Sequence, residues 1–354
     1  MASCEKMDAP PAVLHAQGLR WLAKLVFPEK PMSTMPQQRQ SPQGRSGTAP
    51  PTWPPRPLAP RSNGCAEATH GLRFIYSRGI LLRGVFTPGG SAFALTRAPH
   101  LRGKQVTATA CFSSFSGFCD LPDTVLPASP RSMAVKFQLA DGRTTDIVAH
   151  SCNGFPCATA ERFRTLLAAA AASSADAANP TPLDRYLTKH PKARAFMHSQ
   201  TAPPASYATV RYFGAHAFAF TNDFGIVTFG RYQWVPCAGE ASRAPEEVQK
   251  AAPHHLIAEM EERLSHGPVC FRLLLQIADR GDEVMDASRP WPQTRTRFEL
   301  GLLELQRLIP QERAAEERLV FDPAAVVEGI ESADPMIGIR SSRQAALFAR
   351  RTFR

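Results

Sequence analysis

The sequence predicts an α+β fold, a closed antiparallel β-barrel with helices packed around it and a disordered N-terminal tail ahead of it. Three observations carry that reading. Long β-prone runs separated by turn residues recur from 79 to 305, an Asp-Gly pair joins two of them, and a proline-rich leader without apolar periodicity precedes them all.

The leader passes through Pro36, Pro42, Pro50, Pro51, Pro54, Pro55, Pro57 and Pro60 with Gln, Ser and Arg between them. Such a stretch buries too little apolar surface to offset the entropy of ordering it, so residues 1–62 are expected to form a disordered tail and 63–354 the folded domain. Strands are expected at 79–87 (GILLRGVFT), at 105–113 (QVTATACFS) and at 133–140 (MAVKFQLA), the last returning through TTDIVAHS. Asp141-Gly142 lies between these two runs, and both residue types tolerate positive φ, which is the signal of a hairpin. Further strands are expected at 207–220, 227–235, 269–278 and 297–305. Runs this long suit one closed sheet better than a sandwich of short strands. Helices fill the gaps. Thr159 is placed to N-cap the run that continues through Phe163 into five alanines, and Pro182 opens a short helix reaching His190. One longer helix is expected at 246–266, with Val248, Leu256, Ile257, Met260 and Leu264 on one face and Gly267-Pro268 ending it.

Composition excludes several function classes. A chain of 354 residues that is 44% hydrophobic can bury a large core. No stretch reaches the roughly eighteen consecutive apolar residues of a membrane span. The early run 13–27 is interrupted by His15, Gln17, Arg20 and Lys24, unlike a secretory leader, so the cytoplasm is the expected compartment. The eight cysteines are Cys4, Cys65, Cys111, Cys119, Cys152, Cys157, Cys237 and Cys270. None stands in C-x-x-C spacing, and they read as scattered thiols rather than a zinc site or a disulfide framework. Of the net charge of +10, half falls in residues 1–62, where eight Lys or Arg face three Asp or Glu. No basic stripe interleaved with aromatics follows, which argues against nucleic-acid binding.

Several segments carry a resemblance. They are GILLRGVFTP, FSSFSG, MAVKFQLADGRTTDIVAHS, NGFP, PPASYATVRYFGAHAFAF, QIADRGD, RPWPQTR, ELG, FDPA and GIESADPMIGIR. In this order, over 65–351, the set resembles the haem catalase family, in particular its small catalase-related peroxidases. The resemblance implies haem b held against an antiparallel barrel, a tyrosinate on the proximal side of the iron and a histidine on the distal side. It implies peroxide as substrate, with a small organic reductant as a further partner. A tyrosinate donates negative charge to iron, and an imidazole moves the peroxide proton between its two oxygens.

Carried over residue by residue, the family's distal motif reads Arg73-Phe74-Ile75-Tyr76, with Tyr76 where the family has its histidine. A phenol of pKa about 10 is a poor proton acceptor near neutrality. Ser113 keeps the position that supports the distal base, Cys111 replaces an arginine that meets a haem propionate, and His150 stands where larger catalases have a distal asparagine. His150 could act as a displaced base or be a polar barrel residue without chemistry. Phe163 keeps the position that packs over the porphyrin. The proximal motif runs from Arg340 to Gln344, with Gln344 in place of the iron-ligating tyrosine and Arg351 kept at a propionate position. An amide is a neutral, weak axial ligand. Three functional readings stay open: a peroxide-consuming haem enzyme, a haem or apolar-ligand binding barrel without efficient turnover, and a haem-free interaction protein.

Overall fold

The computed structural model of the chain describes residues 79–114, 123, 131–173, 179–199, 203–310 and 319–338. The expected tail, and Arg73, Tyr76, Arg340, Gln344 and Arg351, lie outside the described residues. Ten strands form one sheet: β1 (Gly79–Pro88), β2 (Val106–Ser114), β3 (Arg131–Gln138), β4 (Thr144–His150), β5 (Tyr212–Phe213), β6 (Phe218–Thr221), β7 (Val227–Pro236), β8 (Val269–Ile277), β9 (Arg297–Ile309) and β10 (Ile330–Ser332). Their order is β10-β6-β7-β5-β4-β3-β2-β1-β9-β8, and β8 pairs back onto β7. Eight strands therefore close into an antiparallel barrel, while β6 and β10 extend one side of β7 as a flap. Closure leaves the barrel wall without an unpaired edge.

Period-two patterning decides which side chains fill the barrel. Ile80, Leu82 and Phe86 from β1, Ala108, Ala110 and Phe112 from β2, and Met133, Val135 and Phe137 from β3 point inward, where they meet Tyr232 and Trp234 from β7 and Phe271, Leu273 and Leu275 from β8. Phe86 and Phe137 meet edge to face with centroids 5.2 Å apart, and Trp234 lies 6.4 Å from each. Truncating an aromatic residue in such a core costs about 3–5 kcal/mol. At the β1–β9 irregularity, a Cβ on Gly84 would lie 2.0 Å from the Glu304 carbonyl oxygen, so only glycine permits that approach.

The β3–β4 hairpin forms as expected. Gly142 takes φ +83° and donates its N–H to Leu139 O at 3.0 Å. Two expectations are corrected. The run 207–220 is not one strand: Ser206 and Thr209 cap each other around a 3-10 turn at Tyr207–Thr209, and β5 and β6 are separated by Gly214, Ala215, His216 and Ala217. Its aromatic and β-branched residues gave no sign of that break. The helix expected at 246–266 is two, Pro245–Lys250 and His255–His266, because Pro253 lacks the N–H a helix interior uses and its ring disfavours the turn before it.

In chain order the helices are α1 (Ala160–Ala172), α2 (Pro182–Lys189), α3 (Pro191–His198), α4 (Pro245–Lys250) and α5 (His255–His266). Thr159 caps α1 by accepting from Arg162 N–H, and Thr181 and Asp184 form a reciprocal capping box on α2. Helix α3, opened by Pro191, was not foreseen. No helix among the described residues is long and apolar enough to cross a membrane.

His100 is buried against Phe137, ring centroids 4.9 Å apart, and neither ring nitrogen has a hydrogen-bond partner among the described residues. Burial pushes its pKa down to about 3. The unfolded chain protonates this imidazole near pH 6.5, so its contribution to stability is complete above pH 6.5 and is lost as pH falls towards 3. Between pH 7 and pH 4 that loss is about 3 kcal/mol. Denaturant titrations at the two pH values are expected to show a markedly smaller loss for His100→Leu than for the unaltered chain; equal losses would contradict the assignment.

Candidate functional site

Residues that do not point into the barrel form the outer face of β1–β4, and the register fixes their rows. Gly79, Ser113, Ser132 and His150 face one another across β1, β2, β3 and β4. With about 4.8 Å between strands, Ser113 and His150 stand about 10 Å apart with Ser132 between them. The next row is Leu81, Cys111, Ala134 and Val148, and the one after it is Arg83, Thr109, Lys136 and Asp146. Leu81, Cys111, Ala134 and Ile309 are buried together, with Val148, Leu319 and Phe321 packed on them. The middle row is thus apolar and lies under Leu319 and Phe321, and the rows on either side of it carry the polar groups.

Aromatic rings from the following loop and helices border this face. Phe155 stands 5.0 Å from Phe163 of α1 and 6.5 Å from His150, and Phe196 of α3 meets His150 edge on at 6.3 Å. The loop bearing Phe155 is fixed by its N–H, which donates to Ala287 O at 2.9 Å. His150 and Ser113 are both buried, at 7% and 1% exposure, so their chemistry is shielded from bulk water. Ser113, His150 and Phe163, singled out in the sequence, are accordingly gathered on one side of the barrel.

A second polar unit adjoins them. His216, from the connection between β5 and β6, is hydrogen-bonded at 2.7 Å through Nδ1 to Asp334 Oδ2, both side chains almost wholly buried. The His216 ring is 6.1 Å from Phe155. Asp334 Oδ1 also accepts the Met336 N–H at 2.9 Å, fixing the turn that leads towards Arg340. Sequence reasoning missed Phe155, Phe196, His216 and Asp334. His216 and Asp334 stood inside the recognised segments, but they are 118 residues apart and nothing local says that they meet.

The far row anchors the covering segment. Lys136 Nζ donates to both Asp146 carboxylate oxygens at 2.7 Å, and Asp146 Oδ2 accepts the Asp322 N–H at 2.7 Å. Asp146 N–H and Thr145 Oγ1 both donate to Ala325 O, at 3.0 and 2.8 Å. Lys136 also lies over the Phe321 ring, 5.5 Å from its centroid. Burial pushes the Asp146 carboxyl up to about 6, against the pull of Lys136. These contacts hold residues 321–325 across β4, beside the apolar row.

Four of the five tyrosines are accounted for. Tyr207, Tyr212 and Tyr232 lie in the barrel core, and Tyr186 donates to Arg162 O from α2. Burial raises the Tyr186, Tyr212 and Tyr232 phenols well above the usual value, so they stay protonated. None of the four belongs to the outer face of β1–β4. Among the described residues no three His, Cys, Asp or Glu side chains gather as a metal site. The described face joins an apolar row to buried polar groups, with Phe155 and Phe163 at its margin.

Comparison with known proteins bears on the family and the fold. The family model described as Catalase matches residues 71–345. The catalase-related peroxidase of Mycolicibacterium paratuberculosis is 34% identical over 293 residues, covering 82% of this chain and 92% of its own. The catalase-related peroxidase of Synechococcus elongatus is 30% identical over 286 residues, covering 80% and 84%. Among solved structures, a bacterial catalase superposes with TM-score 0.67 at 18% identity over 78% of this chain, and a fungal catalase with 0.64 at 19% over 76%. The chain spans 56% and 57% of the length of those two.

Proposed function

The chain belongs to the catalase family, and we propose that it is a haem-dependent, catalase-type peroxidase whose group lies between the outer face of β1–β4 and the segment 319–338. The observation that carries this reading is the row Ser113, Ser132, His150 beside the apolar row Leu81, Cys111, Ala134, Val148, bordered by Phe155 and Phe163. Haem b, when bound, supplies iron that exchanges electrons with hydrogen peroxide or an organic peroxide, a small organic reductant being the further partner.

The residues of this chain do the rest. Leu81, Ala134 and Val148 would exclude water from the haem, and Phe163 would pack over it. Arg73, Arg340 and Arg351 would supply cations for the carboxylate substituents of the haem. Tyr76 takes the distal position, where its phenol holds its proton too firmly to accept one from peroxide near neutrality. His150 is a buried imidazole of the same face, and it serves as the displaced base, with Ser132 beside it on β3. Gln344 would offer the iron an uncharged amide oxygen, a weak ligand.

Tyr76 and Gln344 favour a second reading, a barrel that binds haem or another flat apolar ligand with little turnover. Gln344→Tyr tests the placement common to both. In protein made with haem supplied, this substitution is expected to raise haem retention through gel filtration several-fold and to move the absorption spectrum towards a tyrosinate-ligated ferric species. An unchanged spectrum in a folded, haem-containing Gln344→Tyr protein would remove position 344 from the iron. Peroxide consumption by the unaltered, haem-loaded chain then separates the enzyme from the binding barrel.

A further inference from the structure

We propose that Cys237 and Cys270 form a reversible, peroxide-driven disulfide that staples β7 to β8 at one end of the barrel. The register carries the inference. Pro236 stands opposite Phe271, so the next pair outward is Cys237 opposite Cys270, and the Cys237 N–H donates to Cys270 O at 3.0 Å. Directly opposed residues that share a ladder hydrogen bond have Cα atoms about 5.5 Å apart and side chains on the same face, inside the roughly 4.4–6.8 Å that a disulfide spans. Both thiols are free, Cys237 exposed and Cys270 partly so, whereas Cys111, Cys152 and Cys157 are buried. The pair sits at strand ends, where Gly239 N–H turns back onto Pro236 O at 3.2 Å and β8 begins just after Gly267-Pro268. The small approach that bond formation needs therefore falls on turn residues and not on the middle of the barrel wall.

The chemistry balances with hydrogen peroxide as the oxidant. The thiolate of Cys237, the more accessible partner, attacks one peroxide oxygen; the O–O bond breaks, hydroxide leaves and is protonated to water, and a sulfenic acid remains on Cys237. The Cys270 thiolate attacks that sulfur, the S–S bond forms, the S–O bond breaks, and a second hydroxide leaves and is protonated to water. Two thiols lose two electrons and two protons, and one peroxide becomes two waters. Burial raises both thiols above their ordinary value; Glu299 and Glu304 add to this at Cys237 while Arg272 opposes it, and Glu304 and Cys237 add to it at Cys270. Thiolate is therefore scarce at neutral pH, and closure accelerates about tenfold for each pH unit below the thiol range.

The test uses the full chain, reduced and then exposed to hydrogen peroxide or, in a parallel arm that no peroxide turnover can deplete, to oxidised glutathione. Remaining thiols are blocked with N-ethylmaleimide and the peptides are mapped by mass spectrometry. The expected result is a Cys237–Cys270 crosslink within one chain in both arms, removed by dithiothreitol. A rise of several degrees in melting temperature should accompany it in the unaltered chain and be missing from Cys270→Ser. Separate recovery of Cys237 and Cys270 as alkylated or over-oxidised residues in both arms, or a crosslink between two chains, would overturn the proposal.

Discussion

Restoring an imidazole at the distal position is expected to raise peroxide consumption by about two orders of magnitude or more, the range that a well-placed general base contributes. Tyr76→His exchanges a group of pKa about 10 for one of about 6.5, a proton acceptor matched to neutral pH. Ser113, one of the buried residues of the same outer face, remains in place. The measurement is the initial rate of hydrogen peroxide loss per bound haem, which separates catalysis from occupancy. Tyr76→Phe is the control, and it should leave the rate within a few-fold of the unaltered chain. A haem-loaded Tyr76→His protein with no increase would mean either that residue 76 does not face the peroxide or that Gln344 limits the rate. The double variant Tyr76→His, Gln344→Tyr distinguishes the two.

A loss of stability as large as that of truncating a core aromatic is expected from Asp334→Ala. Its carboxylate holds His216 at 2.7 Å and the Met336 N–H at 2.9 Å, and it is 1% exposed. Removing one partner of a buried pair leaves the other polar group in a low-dielectric surrounding, which costs about 3–5 kcal/mol. For a domain of this size, 3 kcal/mol corresponds to a fall in melting temperature of roughly 6–12 °C. The same change frees the turn that leads towards Arg340 and Gln344, so haem retention should fall with it. A melting temperature within about 2 °C of the unaltered chain, on the same scale, would show that the pair is not structurally important.

Much of the barrel was legible because its physics is local. Strands β1 to β4 and β7 to β9 stand where alternating β-branched and apolar residues meet turn signals, and Gly142 turns the hairpin that its neighbours announce. The Thr159 cap was readable for the same reason. The run 207–220 was not, since its aromatic and β-prone residues look continuous and its break depends on the Ser206–Thr209 cap and on the residues around Gly214. Pro253 was visible in the sequence, and it should have divided the long helix before the structure did. At the site, Ser113, His150 and Phe163 were found by type and order. His216 and Asp334 were not, because a buried pair between distant segments leaves no trace in periodicity. The positions at 76 and 344 rest on the family's motif order alone.

The account's central claim is that the outer face of β1–β4 takes haem, and a titration of haem into the folded chain tests it most directly. Absorbance in the Soret region should saturate at one haem per chain. Val148→Asp, which places a charge in the apolar row beside Ala134, should abolish saturation while the near-ultraviolet circular dichroism of the Trp234 and Phe137 core stays unchanged. Saturable binding that survives Val148→Asp undiminished, or no saturable binding to the unaltered chain, would contradict the claim.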